Sequence, residues 1–257
     1  MLQPWFAKQM YTDTYGRLTL EYPFEIETLP EGPVYLAGER PQLQEYYCNG
    51  VRLHYETLSD WWVDNAFIKM KIPAEALKTG HNSITIVTDF KRTTNTEAIY
   101  LTGNFGVRAK AGASVITTLP DTLPLDDCAK KNLPFYSGKY TVEIPADAYL
   151  PLMDQEADRF WIQIPSFTGA LVTVEYGSVK HRIAWEPYTA EITEAVKSKL
   201  PLRITMVNTR RNSFGPLHIV PTIQGAYGPE HFLTKGEKWS DEYALIEAAI
   251  GEIRFLK

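Results

Sequence analysis

The segment with the clearest chemistry is Asp60-Trp-Trp-Val-Asp-Asn65, which places two indole rings beside two carboxylates and an amide. A sugar ring presents C–H groups on its face and hydroxyls at its edge. An indole can therefore stack on the face while polar side chains hydrogen bond to the hydroxyls. Trp61, Trp62 and Asp64 are candidate carbohydrate-binding residues. In the structural alternative one Trp is core, because adjacent strand residues face opposite sides, and Asp64 caps a turn.

A second aromatic loop, Trp185-Glu-Pro-Tyr188, lies in the other half of the chain. Trp185 offers the same flat stacking surface and is a further candidate for carbohydrate binding. The same ambiguity between ligand contact and core packing applies to it.

The most unusual polar cluster is Arg210-Arg-Asn-Ser-Phe-Gly-Pro-Leu-His218. Its forked guanidinium donors, with an amide and an imidazole, suit a carboxylate or a ring of hydroxyls. We therefore predict Arg211, Asn212 and His218 as joint carbohydrate-binding residues. The alternative is that they satisfy backbone carbonyls and fix this loop against a neighbouring domain.

Catalytic signatures are weak. Glycoside hydrolysis needs two carboxylates about 5–9.5 Å apart; the sequence offers Asp60 with Asp64 and the adjacent pair Asp126-Asp127, but no (β/α) repeat to build a barrel around them. It has no Gly-x-Ser-x-Gly, Gly-x-x-x-x-Gly-Lys, His-Glu-x-x-His or Cys-x-x-Cys motif. We assign no catalytic residue, and the five histidines, which lack a His-x-His pair, identify no metal ligands.

The amino-acid composition argues against two classes of binding partner, nucleic acids and membranes. The 257 residues include 26 basic and 31 acidic ones, a net charge of −5 without a long block of either sign, so we expect no nucleic acid partner. No apolar run approaches the roughly 18 residues of a membrane span, so we expect no membrane partner. The start MLQPWFAKQM lacks an apolar stretch of secretory-signal length. We expect a cytoplasmic protein or a piece of a longer, extracellular or periplasmic one. Cys48 and Cys128 are interpreted as unpaired thiols.

The elements that must position these groups are mainly strands. Aromatic residues make up 12% of the chain, and 16 Gly and 17 Pro punctuate it, which favours many short strands joined by turns. Helical periodicity is confined to Pro73–Thr79 and Ile192–Lys199. Apolar and β-branched runs predict strands at Leu18–Phe24, Val34–Ala37, Ile84–Val87, Ala98–Leu101, Lys139–Ile144, Phe160–Ile164, Ala170–Tyr176 and Leu202–Val207.

The two helical connectors belong to an internal repeat. Twelve positions separate Ile72 from Ile84 and Ile192 from Ile204, and each stretch leads into a β-branched strand. Upstream of each lie an aromatic strand, a Gly turn and a Trp-containing loop. The repeat predicts an all-β chain of two jelly-roll-like antiparallel β-sandwich domains, at residues 1–115 and 116–257.

These segments also carry a family resemblance. The first half resembles the sugar-binding, galactose-binding-like jelly-roll domains of family 2 glycoside hydrolases, and the second resembles the terminal β-sandwich region of rhamnosidase-like glycoside hydrolases. In the first half it is carried by Asn49-Gly50, Leu77-Lys-Thr-Gly80 and Asn82-Ser-Ile-Thr-Ile86, and in the second by Leu133-Pro-Phe-Tyr-Ser-Gly138, Gly169-Ala-Leu-Val-Thr-Val174, Trp185-Glu-Pro-Tyr188, Asn212-Ser-Phe-Gly-Pro-Leu-His218 and Gly228-Pro-Glu-His-Phe232. The second half departs from the pattern at Tyr176-Gly177 and Pro201, where Asn-Gly and a Gly-x-Asn turn are typical.

The resemblance implies a non-catalytic carbohydrate-binding or accessory module that binds a plant or microbial oligo- or polysaccharide. It also implies a glycoside hydrolase catalytic domain as partner, in the same or another chain, an inward-packed Tyr188 and a structural calcium ion. Two alternatives stay open: a structural module that docks a catalytic glycosidase domain, and a small jelly-roll enzyme that degrades polysaccharide.

Overall fold

A computed structural model describes residues 13–55, 60–94, 96–110, 114–153, 157–223 and 225–257. The chain divides into two compact units, Met1–Leu119 (unit 1) and Pro120–Lys257 (unit 2). Strands dominate both units, and nearly all pairs of neighbouring strands are antiparallel, so the predicted all-β sandwich architecture is confirmed.

The described residues of unit 1 form ten strands arranged in two sheets. The six-stranded sheet has the order β4-β3-β7-β1-β10-β9, and the four-stranded sheet has the order β5-β6-β2-β8. Strand β10 pairs in parallel with β1 and antiparallel with β9. The strands are β1 (Gly16–Ile26), β2 (Val34–Glu39), β3 (Glu45–Cys48), β4 (Val51–Leu53), β5 (Trp61–Trp62), β6 (Asp64–Ile72), β7 (Gly80–Phe90), β8 (Tyr100–Thr102), β9 (Gly106–Arg108) and β10 (Val115–Thr117).

The core of unit 1 forms where the apolar faces of its two sheets meet. Alternation along β7 turns Ile84 and Ile86 inward, where they pack with Leu36 of β2 and Met70 of β6. The longest pairing, between β1 and β7, runs from Gly16 opposite Phe90 to Ile26 opposite Gly80. The sequence-based boundary at 115/116 falls inside β10, a strand of this unit.

In unit 2, the part of the chain that the structure describes forms seven strands and three short α-helices. One sheet has the order β11-β16-β13-β14 and the other has the order β15-β12-β17. The elements are β11 (Lys139–Ile144), α1 (Ala146–Tyr149), β12 (Trp161–Gln163), β13 (Leu171–Tyr176), β14 (Val179–Ile183), β15 (Thr189–Glu191), α2 (Thr193–Lys197), β16 (Leu202–Val207), α3 (Arg211–Phe214) and β17 (Arg254–Leu256).

Strand order demonstrates the repeat that the connectors predict. Seven strands of each unit occupy equivalent positions in its sheets. The order β4-β3-β7-β1 in unit 1 corresponds to β14-β13-β16-β11 in unit 2, and the order β6-β2-β8 corresponds to β15-β12-β17. Unit 2 also buries residues of both its sheets together, including Ile162 of β12, Val174 of β13 and Ile204 of β16. Each unit is therefore a sandwich with its own core.

The connectors before β7 and β16 lie where the sequence predicts them but are shorter than the two turns expected. The first is a 3₁₀ turn at Ala74–Ala76 and the second is α2. Further 3₁₀ turns lie at Pro41–Leu43, Cys128–Lys130, Leu150–Leu152 and Pro229–His231. Over the described part of the chain, no helix has the length and apolar character required to cross a membrane.

Candidate functional site

The Trp-rich segment forms a tight hairpin rather than the predicted loop. Trp62 of β5 pairs with Asp64 of β6 around Val63, whose φ is 69°. A β-branched residue in the left-handed region is strained, at a cost of order 1–3 kcal/mol. The hairpin is thus held in an uncommon conformation at the position where the sequence predicts ligand contacts.

Trp61 presents its indole to solvent, with 53% of the residue exposed. At the preceding residue, Asp60 Oδ2 accepts a hydrogen bond from Lys69 Nζ at 2.6 Å, and this ammonium lies 4.4 Å from the centre of the Tyr35 ring. This hydrogen bond is the main reason that the pKa of Asp60 is lowered, so the carboxylate is ionised at neutral pH. An exposed apolar ring and a charged pair therefore lie at consecutive residues, Trp61 and Asp60, at the edge of this sheet.

Trp62 and Asp64 have structural roles in the same hairpin. The half-buried Trp62 ring lies 4.8 Å from the ring of Tyr100 and 6.2 Å from that of Phe67. Asp64 Oδ1 accepts a hydrogen bond from the Ala66 backbone N–H at 2.9 Å, which caps the turn. Ligand contact by these two side chains remains a prediction.

Trp185 is the most exposed large hydrophobic residue described, at 74%. It lies in the turn between β14 and β15, where the Tyr188 N–H donates to the Trp185 carbonyl at 3.1 Å. The Tyr188 ring packs edge-on against Phe167 at 5.4 Å, which fixes the far end of the turn. Gln163 of β12 donates to the Pro187 carbonyl at 3.4 Å. The indole is therefore presented to solvent on an anchored loop.

Arg211 and Asn212 lie inside unit 2, only 5% and 4% exposed. The guanidinium of Arg211 donates to the backbone carbonyls of Ile223 and Pro216, each at 2.8 Å. Asn212 donates to the Ile246 carbonyl and accepts from the Ile246 N–H. Burial lowers the pKa of Arg211. Both side chains thus join loops, which is the structural role that the sequence left open.

His218 is half-buried near these loops. Its Nδ1 lies 2.9 Å from the Ser240 carbonyl, and its ring packs 5.0 Å from Tyr243 and 6.0 Å from Trp239. The imidazole thus joins the β-bridged segments around Ile219 and Trp239. Saccharide contact by Arg211, Asn212 and His218 stays a prediction, and their present contacts are structural.

One carboxylate considered for catalysis is also structural. Asp127 is buried, and its Oδ1 accepts from the backbone N–H groups of Ala129 and Ala248, both at 3.1 Å. It holds the segment before β11 against the C-terminal part of unit 2. The two thiols are free and buried, and burial raises the pKa of Cys48 to about 11, so it is protonated at neutral pH.

Sequence reasoning missed a polar groove of about 510 Å³ in unit 1. Its floor is the outer face of the six-stranded sheet, where Arg17 lies opposite Asp89 and Arg52 lies opposite Tyr47. Its walls are the segments 40–44 and 91–94, with Tyr55 at one side. No contiguous motif encodes this groove, because strand pairing brings its segments together.

The charges of the groove are unbalanced. Arg17 donates to Glu45 at 2.6 Å and lies 3.5 Å from Asp89, so one arginine contacts both carboxylates of the lining. Hydrogen bonds from Tyr47 and then Arg17 lower the pKa of Glu45. The other three cations of the lining form no ion pair with any described residue; they are Arg40, Arg52 and Lys91.

The described side chains do not form a metal-binding site. Within the described ranges, no group of three or more His, Cys, Asp and Glu residues is placed to hold a metal ion. The structural calcium ion implied by the resemblance remains a prediction.

The fold and these sites define an all-β protein of two sandwich units with solvent-facing indoles and a cationic groove. No protein-family model matches the chain, and no curated protein matches its sequence. Among solved structures, the chain is similar to an α-L-rhamnosidase from Streptomyces avermitilis complexed with L-rhamnose. That match has 9% identity and a TM-score of 0.31, and it covers 77% of this chain and 22% of the rhamnosidase. The chain thus spans less than a quarter of that protein's length.

Proposed function

We propose that this chain is a non-catalytic carbohydrate-binding module that binds plant or microbial oligo- or polysaccharide through aromatic stacking. The observation that carries the proposal is the solvent-exposed Trp61 ring, which follows directly after Asp60 of the Asp60–Lys69 pair. The family resemblance of the sequence, through Asn49-Gly50 and Trp185-Glu-Pro-Tyr188, supports the same function.

The chemistry at Trp61 suits a sugar. The indole face offers an apolar surface to the C–H groups of a pyranose, while Asp60 accepts and Lys69 donates hydrogen bonds at the ring edge. Asp60 and Lys69 already form an ion pair with each other, so they can bind hydroxyls without leaving an isolated charge. Trp62 and Asp64 support this surface from the hairpin and contact the ligand at its margin.

Trp185 provides a separate contact in unit 2. An exposed indole on an anchored turn loses little conformational freedom on binding, which favours affinity. Each unit thus offers one exposed indole of its own as a stacking position.

The resemblance extends the proposal to the setting of the module. We infer that it works beside a glycoside hydrolase catalytic domain, in the same or a partner chain, and that a structural calcium ion supports its loops. Unfolding with and without a chelator tests the ion, since a metal that binds only the folded state raises the unfolding temperature.

Affinity electrophoresis tests the binding directly. The full chain is run through gels containing soluble plant and microbial polysaccharides, together with Trp61→Ala and Trp185→Ala. We expect at least one glycan to retard the wild type and each substitution to weaken retardation about tenfold, since stacking is worth about 1–1.5 kcal/mol. Both side chains are exposed, so folding should be unaffected.

Leu152→Ala is the matched control, because Leu152 is also a strongly exposed apolar residue of unit 2. Its retardation should equal that of the wild type. Absence of retardation at about millimolar sugar, or retardation that ignores both Trp substitutions, would overturn the proposal. Release of reducing ends or unsaturated sugars would favour the enzyme alternative, and binding only to a catalytic domain would favour the docking alternative.

A further inference from the structure

We propose that the groove in unit 1 binds the carboxylate groups of an acidic oligosaccharide, one built from uronic acid residues. This inference rests on the proposed carbohydrate-binding function and specifies a ligand class and a second site for it. It uses none of the indole surfaces described above.

Charge is the first argument. The whole chain carries a net charge of −5, yet this groove is lined by four cations and two carboxylates. Arg17 contacts both carboxylates, while Arg40, Arg52 and Lys91 line the groove without an ion pair to a described residue; of these three, Arg52 also lies close enough to Glu45 to help lower its pKa. A guanidinium offers a planar fork of donors that matches a carboxylate, and partial burial in a groove strengthens such contacts.

The rigidity of the walls is the second argument. Thr88 Oγ1 donates to the Leu43 carbonyl at 3.3 Å and so ties the first wall to β7. Thr94 Oγ1 accepts from the Lys91 N–H at 2.8 Å and donates to the Asp89 carbonyl at 3.1 Å, which closes the second wall. Arg40 is held at φ 48° immediately before Pro41, an uncommon conformation for a residue that precedes proline. Binding therefore requires little ordering of the backbone.

The remaining lining fits a sugar rather than a bare anion. Tyr55, 42% exposed, provides an aromatic surface, and Gln42 and Thr93 add neutral hydrogen-bonding groups. The volume of about 510 Å³ lies within the roughly 300–1,000 Å³ typical of small-molecule sites. A uronate presents a ring face, hydroxyls and one carboxylate per residue, and each has a counterpart in this lining.

Calorimetry with the full chain tests the inference. The probes are the trimer of galacturonic acid and the neutral trimer of galactose, with Arg52→Gln and Lys91→Gln as groove variants. We expect the acidic trimer to bind at least about tenfold more tightly than the neutral one, and each variant to weaken it about tenfold or more, as for the loss of a charged hydrogen bond. Affinity for the acidic trimer should also fall as salt rises.

Arg182→Gln is the matched control, since Arg182 is an exposed arginine of β14 in unit 2. It should leave the affinity unchanged, and circular dichroism should show that all three variants are folded. Equal affinity for the two trimers, or full affinity in both groove variants, would overturn the inference. A single-stranded oligonucleotide that displaces the acidic trimer at equal affinity would overturn it as well.

The two proposals fail separately. If neutral polysaccharide binds through Trp61 and Trp185 while the acidic trimer binds no more tightly than the neutral trimer, only the groove inference is wrong. If the acidic trimer binds through Arg52 and Lys91 while the Trp substitutions change no retardation, only the stacking sites are wrong. If no saccharide of either kind binds, both proposals fall.

Discussion

The connector at Ala74–Ala76 in unit 1 and helix α2 in unit 2 precede equivalent strands, yet different side chains satisfy their carbonyls. In unit 1, the fully buried Asn82 donates to the carbonyls of Lys78 and Gly80 and accepts from Asn49 and the Lys78 N–H, at 2.7–3.1 Å. Asn49 also donates to the Ala76 carbonyl at 2.8 Å. Two amides thereby join the hairpin turn, the connector and β7.

In unit 2, a single phenol takes this place. The hydroxyl of Tyr149 lies 2.7 Å from the Leu200 carbonyl and 3.2 Å from the Ala195 carbonyl. In the twelve-residue overlay, Leu200 occupies the position of Gly80, so the same backbone carbonyl is satisfied in both units. Tyr149 comes from α1, far from the β13–β14 turn in sequence.

This difference explains the sequence departures at Tyr176-Gly177 and Pro201. Since the Tyr149 hydroxyl hydrogen bonds to the carbonyls of the connector, unit 2 does not need the two asparagines that the Asn-Gly and Gly-x-Asn turns supply in unit 1. Strand register shifts as well: Ile84 lies opposite Cys48, the last residue before its turn, whereas Ile204 lies opposite Val174, two residues before the end of β13. A repeated fold thus keeps its obligatory backbone hydrogen bonds while the side chains that make them change.

The largest expected effect is that of Asn82→Ala. It removes four hydrogen bonds from a buried site and leaves two carbonyls and an N–H unsatisfied, so we expect a loss of about 3 kcal/mol in the stability of unit 1. Hydrogen exchange measured by mass spectrometry should show faster exchange in β3 and β7 and unchanged exchange in β13 and β16.

Asn65→Ala provides the control, because Asn65 is an exposed amide in β6. It should change stability by less than about 0.5 kcal/mol. Equal effects of the two substitutions, or faster exchange in unit 2, would show that the amide pair does not hold unit 1 together.

Tyr149→Phe is the converse test and should cost about 2 kcal/mol, because it deletes one hydroxyl and leaves the Leu200 carbonyl buried without its donor. The ring itself remains, stacked 5.5 Å from Phe255. Faster exchange is expected in β13 and β16 only. Tyr136→Phe serves for comparison, since its exposed hydroxyl makes a single 3.2 Å contact with the Lys139 carbonyl, and it should be nearly neutral.

Local patterns predicted those elements whose boundaries are marked by turn residues. The predicted strands at Lys139–Ile144 and Leu202–Val207 match β11 and β16 because they alternate and follow Gly138 and Pro201. The predicted strand at Ala98–Leu101 was wrong at its start, since β8 begins at Tyr100. The helical periods predicted the connectors in the right place but longer than they are, since only Ala74–Ala76 and Thr193–Lys197 are helical.

The candidate site was harder to predict. Periodicity indicates that Trp61 and Trp62 differ in environment, but only the contacts of Trp62 with Phe67 and Tyr100 show which one is covered. The cluster at Arg211 is contiguous in sequence and buried in the fold. The groove has the opposite character, since Arg52 and Lys91 come to line one groove only through sheet pairing. The tertiary structure thus buries Arg211, which the sequence predicts as a ligand contact, and places Arg52 and Lys91, which it does not, in an open groove.

The smallest expected effect concerns two strands that have no counterpart in unit 2. Glu27 follows β1 and accepts hydrogen bonds from Arg108 of β9 and Thr117 of β10, which lower its pKa from 4.5 to about 2. Its contribution to stability is therefore complete above about pH 4.5 and is lost as pH falls through about 2. We expect β9 and β10 of the wild type to lose protection, measured relative to the intrinsic exchange rate at each pH, over that range, while protection in β11 shows no Glu27-dependent change.

Glu27→Gln removes this titration. The difference in protection of β9 and β10 between this variant and the wild type should therefore be present at pH 5 and shrink toward zero near pH 2. The control is Glu31→Gln, at an exposed carboxylate that makes no ion pair with a described residue, and it should show no such convergence. Parallel pH profiles of the wild type and Glu27→Gln would mean that the pairing of β1 with β10 does not depend on this carboxylate. Convergence of the two pH profiles would instead show that an exposed carboxylate, although screened by solvent, determines how the stability of unit 1 falls in acid. The reason is that its three hydrogen-bond donors come from β9 and β10, two strands with no counterpart among the described strands of unit 2.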